Sequence, residues 1–350
     1  MAGAGMKVLK KLLRGFMDIE CIIELAKSLL KEAEGLDLRG ISAAKFAQEK
    51  LMHFPEFGNK YVHELIYKCA IDPSTVSGLA NPRFGEPSII VAESENWVFE
   101  VISWRYMVTA IHEHSYYGAF KSLEGKRLHF TFEFTDDLSF SDDRSLKLGL
   151  LNCIGMHEIN AGEVNCILKE REFIHSVWPL SKNCSTVVLR QKGPSNSWSY
   201  LPNRITYDER LAERYLSKRL RYLEDLQLYS KELYDLAITK IVNRSPFSVV
   251  VYLIMALNIT TKDKVFHEIY TIIEGRNKDF AEAMREMTEI DELFRDVYRL
   301  KRFSTSEDEN RNLAIAFYSK ILSKKNTLHL LGREFYEKPQ PALLHGGEVF

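Results

Sequence analysis

The sequence predicts an α+β fold, with a β-rich middle section between two helical ones. Three observations carry that reading. Apolar residues recur at three- and four-residue steps from residue 6 to about residue 68. Between residues 88 and 192 the period drops to two, and β-branched and aromatic residues gather. After Pro202 the helical steps return and persist. At about 150 residues per domain, the chain amounts to roughly two domains and is long enough to bury a sizeable core.

In the first section Val8, Leu12, Phe16, Ile19, Ile23 and Leu29 fall on one helical face, and Gly35 and Gly40 end that element. Ser42 reads as the N-cap of a helix running to residue 52, and Pro55 as the opening of another through residue 67. In the middle section the segments 88–92, 97–104, 128–134 and 186–190 alternate like half-buried strands. Turn signals separate them, at 93–96, Glu124-Gly125, Asp142-Asp143, 160–162 and 192–194. Short strands at that spacing suggest a small antiparallel barrel or sandwich. The third section predicts one long helical stretch over 207–242. Further helices are expected near 246–257, 262–273, 279–300 and 307–322. The resulting boundaries are 6–75 for an N-terminal helical segment packed on the barrel, 76–200 for the barrel with its site, 205–330 for a C-terminal helical extension, and 333–350 for a loose tail.

Charge and composition narrow the function. Lys and Arg total 47 against 48 Asp and Glu, so the chain lacks the overall basic footprint of a nucleic-acid binder. With 45% hydrophobic and 27% charged residues it is not a disordered polyelectrolyte. The longest apolar run, 249–257, is far short of the roughly 20 residues of a spanning helix, so no membrane partner is expected. Lys7, Lys10, Lys11 and Arg14 interrupt any secretory apolar stretch near the start. The five cysteines are odd in number and show neither metal nor disulfide spacing, which points to a cytoplasmic protein.

The sharpest feature is His112-Glu113-His114. Residues two apart on a strand share a face, so both imidazoles aim at one point, and neutral imidazole is the commonest metal ligand. A third ligand must come from another strand. His175, in an apolar strand-like run, is the natural candidate; His157, beside Glu158 and Asn160, is the fallback and reads more simply as a loop residue. His129 alternates with Phe130 and Phe132, which suits either a solvent-facing position or a base in the pocket. Tyr116, Tyr117, Arg105 and Arg83 are the other polar groups near these motifs. The tyrosines are candidate bases. The arginines are candidate forks for a substrate carboxylate.

Trp104, Ile111-His112-Glu113-His114, Gly118 and Leu123-Glu124-Gly125, followed by Ala161-Gly162-Glu163-Val164 and Ile174-His175-Ser176-Val177, resemble the two motifs of the cupin superfamily. The likeness is to its three-histidine thiol dioxygenases, of the cysteine and 3-mercaptopropionate dioxygenase type, and it covers residues 75–195. It implies a cupin barrel (a double-stranded β-helix, jelly-roll-like) carrying the N-terminal helices and an α-helical C-terminal extension. It also implies His112, His114 and His175 as ligands of Fe(II), with O2 as co-substrate. Many other cupins place a glutamate ligand where this chain has Gly118 and Ala119. Two departures stand beside the matches: the family's Ser-x-His-x-Tyr run is replaced by Thr186-Val187-Val188-Leu189-Arg190, and Pro179 takes the place of an Asn.

Three neutral imidazoles leave a divalent ion's charge intact, so such a site favours an anionic ligand. The expected function is a mononuclear non-haem Fe(II) dioxygenase oxidising a small anionic metabolite, such as a thiol or another heteroatom-bearing, amino-acid-like compound. Imidazole ligands suit Zn, Ni or Mn as well, so a metal-dependent isomerase or hydrolase without O2 is the alternative. A non-catalytic cupin that senses a ligand and signals through its helices is the third reading. The helical extension is also a candidate homodimer interface.

Overall fold

The structure is a computed structural model that describes residues 19–72, 74, 76, 78–79, 88–104, 108–136, 145–193, 198–201, 204–303 and 306–321. Three helices lead: α1 (Ile19–Glu34), α2 (Ile41–Met52) and α3 (Asn59–Ile71). Twelve strands follow: β1 (Gly78–Leu79), β2 (Ser88–Glu93), β3 (Trp97–Trp104), β4 (Ile111–His112), β5 (Gly118–Glu124), β6 (Arg127–Asp136), β7 (Leu146–Ile159), β8 (Val164–Ile167), β9 (Ile174–Pro179), β10 (Cys184–Gln191), β11 (Ser199–Leu201) and β12 (Ile205–Tyr207). Six helices close the chain: α4 (Glu209–Tyr229), α5 (Lys231–Arg244), α6 (Phe247–Ala256), α7 (Lys264–Arg276), α8 (Lys278–Phe303) and α9 (Glu307–Ile321).

The strands form two antiparallel sheets. One has the order β1-β2-β3-β10-β5-β8; the other, β11-β12-β7-β6-β9-β4, closes on itself because β11 pairs with both β12 and β4. From β3 to β10 successive strands fall alternately in one sheet and the other, except that β6 and β7 pair with each other in the same sheet. The resulting sets, β3-β10-β5-β8 and β4-β9-β6-β7, are the strand orders of an eight-stranded jelly roll, the architecture of cupins. The second sheet takes in Ile205–Tyr207, so the barrel reaches past residue 200.

Alternation along each strand separates an interior that carries polar side chains from two apolar outer faces. On β3, Glu100, Ile102 and Trp104 line the interior, while Phe99 and Val101 pack with Phe46 and Leu51 in the cluster under the N-terminal helices. On β6, Arg127 and His129 face inward, and Leu128, Phe130 and Phe132 pack outward with Phe317 and Tyr318 of α9. Tyr318 stacks on Phe130 at 3.8 Å between ring centroids and shares a 2.6 Å hydrogen bond with Ser176. Helix α6 is buried almost all round, in a cluster that also holds Leu146, Leu148 and Ile205 of the barrel.

Several elements differ from the sequence reading for identifiable reasons. Helix α2 starts at Ile41 behind Gly40 (φ 58°), and the Ser42 hydroxyl instead donates to the Arg39 carbonyl at 2.7 Å, so it is not the cap. The third helix begins at Asn59 rather than at Pro55, because Phe54 and Phe57 are drawn into the core. The stretch 207–242 is two helices, broken at Ser230, whose hydroxyl caps α5 by accepting from the Leu233 amide at 3.4 Å. Strand β7 has fourteen residues and was not legible, since Gly149, Gly155 and a bulge opposite Thr131–Phe132 spoil its alternation. His157 therefore sits on a strand, opposite His129, and is not a loop residue. All five cysteines are free thiols. Among the described residues no helix is long and apolar enough to cross a membrane.

Candidate metal centre

Local geometry brings the histidines together. Strand β4 is only two residues long; His112 is paired with His175 on β9 on one side and with Ser199 on β11 on the other. The chain runs on through His114 into Tyr116, and Gly118 lets β5 pass tightly over β10. A Cβ at Gly118 would lie 2.6 Å from the Leu189 carbonyl oxygen and 2.7 Å from Arg190 Cβ. Gly125, at φ 78°, turns the chain from β5 to β6 and so sets Arg127 and His129 on the opposite wall.

His112, His114 and His175 are all buried, and their ligand atoms lie within 4.8 Å of one another. Ring centroids are 4.8 Å apart for His112 and His114, 4.6 Å for His112 and His175, and 4.9 Å for His114 and His175. The Nε2 atoms of His114 and His175 stand 2.8 Å apart. Ligands about 2.1 Å from a common ion sit about 3 Å from each other, so this pair already has the required separation. The Ala110 carbonyl lies 2.8 Å from His112 Nδ1. A carbonyl only accepts, so Nδ1 carries the proton and Nε2 keeps its lone pair.

Behind His175 the chain of imidazoles continues. His175 Nδ1 lies 2.6 Å from His129 Nε2, and His129 Nδ1 lies 3.3 Å from His157 Nε2. A hydrogen on each Nδ1 satisfies both contacts and frees His175 Nε2 for the centre, with no carboxylate in the line. Burial holds His112, His114, His175 and His129 neutral. It pushes His112 down to about 4, and takes His114, His175 and His129 well below the ordinary histidine value, helped by the neighbouring imidazoles. Neutral imidazoles are the protonation state that metals bind.

The cavity in front of these rings measures about 50 Å³ and is lined from the facing sheet by Ile102, Phe120, Ile167 and Val188. Two arginines serve it. Arg190 forms a 2.7 Å ion pair with Glu100 and lies 4.6 Å above the Tyr116 ring. Arg127, 2% exposed, donates to the Thr186 hydroxyl, to Ser122 Oγ at 2.7 Å and to the Ser185 carbonyl at 2.9 Å. Its Nε has no hydrogen-bond partner among the described residues. None of the three acceptors is a carboxylate, so the guanidinium is a buried cation held by neutral groups. Sequence reasoning missed it. Beside Lys126 and a turn it looks like a surface charge, although it shares its parity with His129.

The other candidates read from the sequence separate. Tyr116 lines the cavity with its ring 4.9 Å from His114, and burial raises its pKa, so it is a neutral phenol. Tyr117 packs instead with the cluster under the N-terminal helices. His129 is in contact with His175 rather than with solvent. Arg83 and Arg105 lie outside the described residues. Phe173 was not anticipated. It follows Glu170, whose φ of 58° bends the chain, and it covers His175 at 4.5 Å and His129 at 5.4 Å between centroids.

No family model and no curated protein matches the chain. Solved structures do. A cupin-2 domain protein from Shewanella frigidimarina is 15% identical, over 31% of this chain and 82% of that one, with a TM-score of 0.22. Hydroquinone 1,2-dioxygenase from Sphingomonas sp. TTNP3 is 9% identical, over 41% of this chain and 87% of that one, with a TM-score of 0.25. A structure described as DMSP lyases is 13% identical, over 54% of this chain and 94% of that one, with a TM-score of 0.25. At these identities and scores the likeness adds nothing to the strand order, which by itself makes the barrel a jelly roll, an architecture that cupins share.

Proposed function

We propose that this protein is a mononuclear, three-histidine iron oxygenase acting on a small anionic metabolite. The observation that carries the reading is one cavity holding both a cluster of neutral imidazoles and a buried guanidinium without a carboxylate. His112, His114 and His175 are the residues that would hold Fe(II). When bound there, the ion supplies the redox chemistry that couples O2 to the substrate.

The rest of the work falls to the chain. Arg127 has an open Nε–H and a charge that no acid balances among the described residues, so it anchors and orients a substrate carboxylate or comparable anion. The Glu100–Arg190 pair is neutral overall and fixes the Tyr116 ring against His114. Tyr116 keeps its proton and serves as a hydrogen-bond donor, not as a base. Phe173, Phe120 and Val188 keep water out of the cavity. A water needs about 10–15 Å³ of such space, so the volume admits about four atoms of that size and restricts the substrate to a small molecule.

The test is the metal content of protein purified without oxygen, followed by O2 uptake with small thiols, amino acids and β-dicarbonyls. Wild type is expected to hold about one iron per chain, lost in His112→Ala and His175→Ala, and to consume O2 only with substrate. Metal retained without any O2 uptake would favour Lewis-acid isomerisation or hydrolysis instead. Equal metal in wild type and variants would end the enzyme reading.

A further inference from the structure

A second cavity, of about 110 Å³, lies on the opposite face of the same strand. Its wall includes Ile111, the outward neighbour of His112, together with Met255 of α6, Met287, Ile290 and Phe294 of α8, and Phe317 of α9. Among the described residues, Thr109 is the one that lines both cavities. We propose that this cavity is a binding site for small uncharged apolar molecules, and that it stocks O2 for the metal centre. The O2 part rests on the oxygenase reading; the apolar-ligand part does not.

Three observations support it. First, the polar groups in the wall are already engaged. Tyr200 donates to Glu113, Tyr318 shares its hydroxyl hydrogen bond with Ser176, Thr109 Oγ1 accepts from the Val177 amide at 2.7 Å, and Asp291 is paired with Arg295 at 3.0 Å. A water inside needs two to four partners, few of which this largely apolar wall leaves open, and apolar cavities take up xenon. Second, the separation from the metal cavity is thin. The Thr109 amide donates to the Val177 carbonyl at 3.1 Å, and the Val177 amide returns a bond to the Thr109 hydroxyl. Thr109, in the segment leading into β4 and tied to β9 by that pair of bonds, forms part of the wall of both spaces. Such a seam passes a diatomic molecule and holds back a charged metabolite. Third, the wall is largely made by α6, α8 and α9, which gives the helical extension a role in the chemistry of the barrel.

The experiment combines xenon binding with oxygen kinetics. Wild-type protein under xenon is expected to bind one xenon per chain beside Ile290, seen crystallographically or by xenon NMR. Ile290→Phe and Met287→Trp, which fill the space, are expected to lose that xenon. In the iron-loaded enzyme they are expected to raise KM for O2 about threefold or more with kcat unchanged. Absence of xenon from the wild type overturns the proposal without reference to any activity. An unchanged KM for O2 in a filled, xenon-free and active variant overturns the supply role. Xenon bound in a protein that never consumes O2 would uphold the apolar site while sinking the oxygenase reading.

Discussion

The barrel holds two arginines, Arg127 buried and Arg190 partly buried, whose charge partners differ. Arg190 has a carboxylate; Arg127 has hydroxyls and a carbonyl. At Arg190 burial works against the charge, yet Glu100 and Tyr116 outweigh it and the pKa rises. At Arg127 burial prevails and the pKa falls. The first arginine is complete within the fold. The second carries a desolvation cost that an arriving anion would offset. Balanced charge thus marks the part of the cavity that is framework, and unbalanced charge marks the part reserved for a ligand.

That contrast can be broken from either side. Glu100→Gln leaves the partly buried Arg190 without its carboxylate, and is expected to destabilise the protein by about 2 kcal/mol in urea unfolding. Arg127→Met strands no opposite charge, so it is expected to cost less than Glu100→Gln while metal content stays at the wild-type level. The same variant should weaken binding of a small carboxylate such as acetate, measured by calorimetry on metal-loaded protein, by about tenfold or more. Equal stability losses in the two variants would erase the distinction.

Acid gives a smaller and more graded effect. The folded histidine cluster resists protonation, with His112 at about 4 against an ordinary 6.5, so in acid the unfolded chain binds protons that the folded one does not. The stability that these rings contribute is present above the ordinary value and is lost as pH falls from 6.5 towards 4. Urea midpoints of the metal-free protein should drop across that window; a flat profile would mean that the rings are not buried in solution. The smallest effect is expected from Tyr318→Phe, which removes the hydroxyl shared with Ser176 and keeps the stack on Phe130. A loss of about 1 kcal/mol is expected, with xenon and metal binding preserved.

The helical flanks and the β-rich middle were legible because period and turn chemistry are local properties. His112 and His114 were legible because two-residue spacing on an extended chain dictates a shared face, and His175 through its apolar strand-like run and the family resemblance. Arg127 was not. Its meaning lies in what surrounds it across the barrel, from Ser122, Ser185 and Thr186, and a single sequence does not display non-local neighbours. The same holds for His157, which acquires its partner only through the register of β6 with β7. Helix α8 gave no sign of the cavity beneath it, since Met287, Ile290 and Phe294 look like any amphipathic stripe.

The short hairpin β11–β12 has a consequence for anyone who would treat the barrel as a transplantable cassette. Among the described residues it supplies the only backbone neighbour of β4 other than β9, and its second strand leads straight into α4. A gene trimmed at residue 195 would leave the His112 strand half unpaired and its sheet open along one side. A barrel cassette must therefore run at least through Tyr207 to keep that sheet closed.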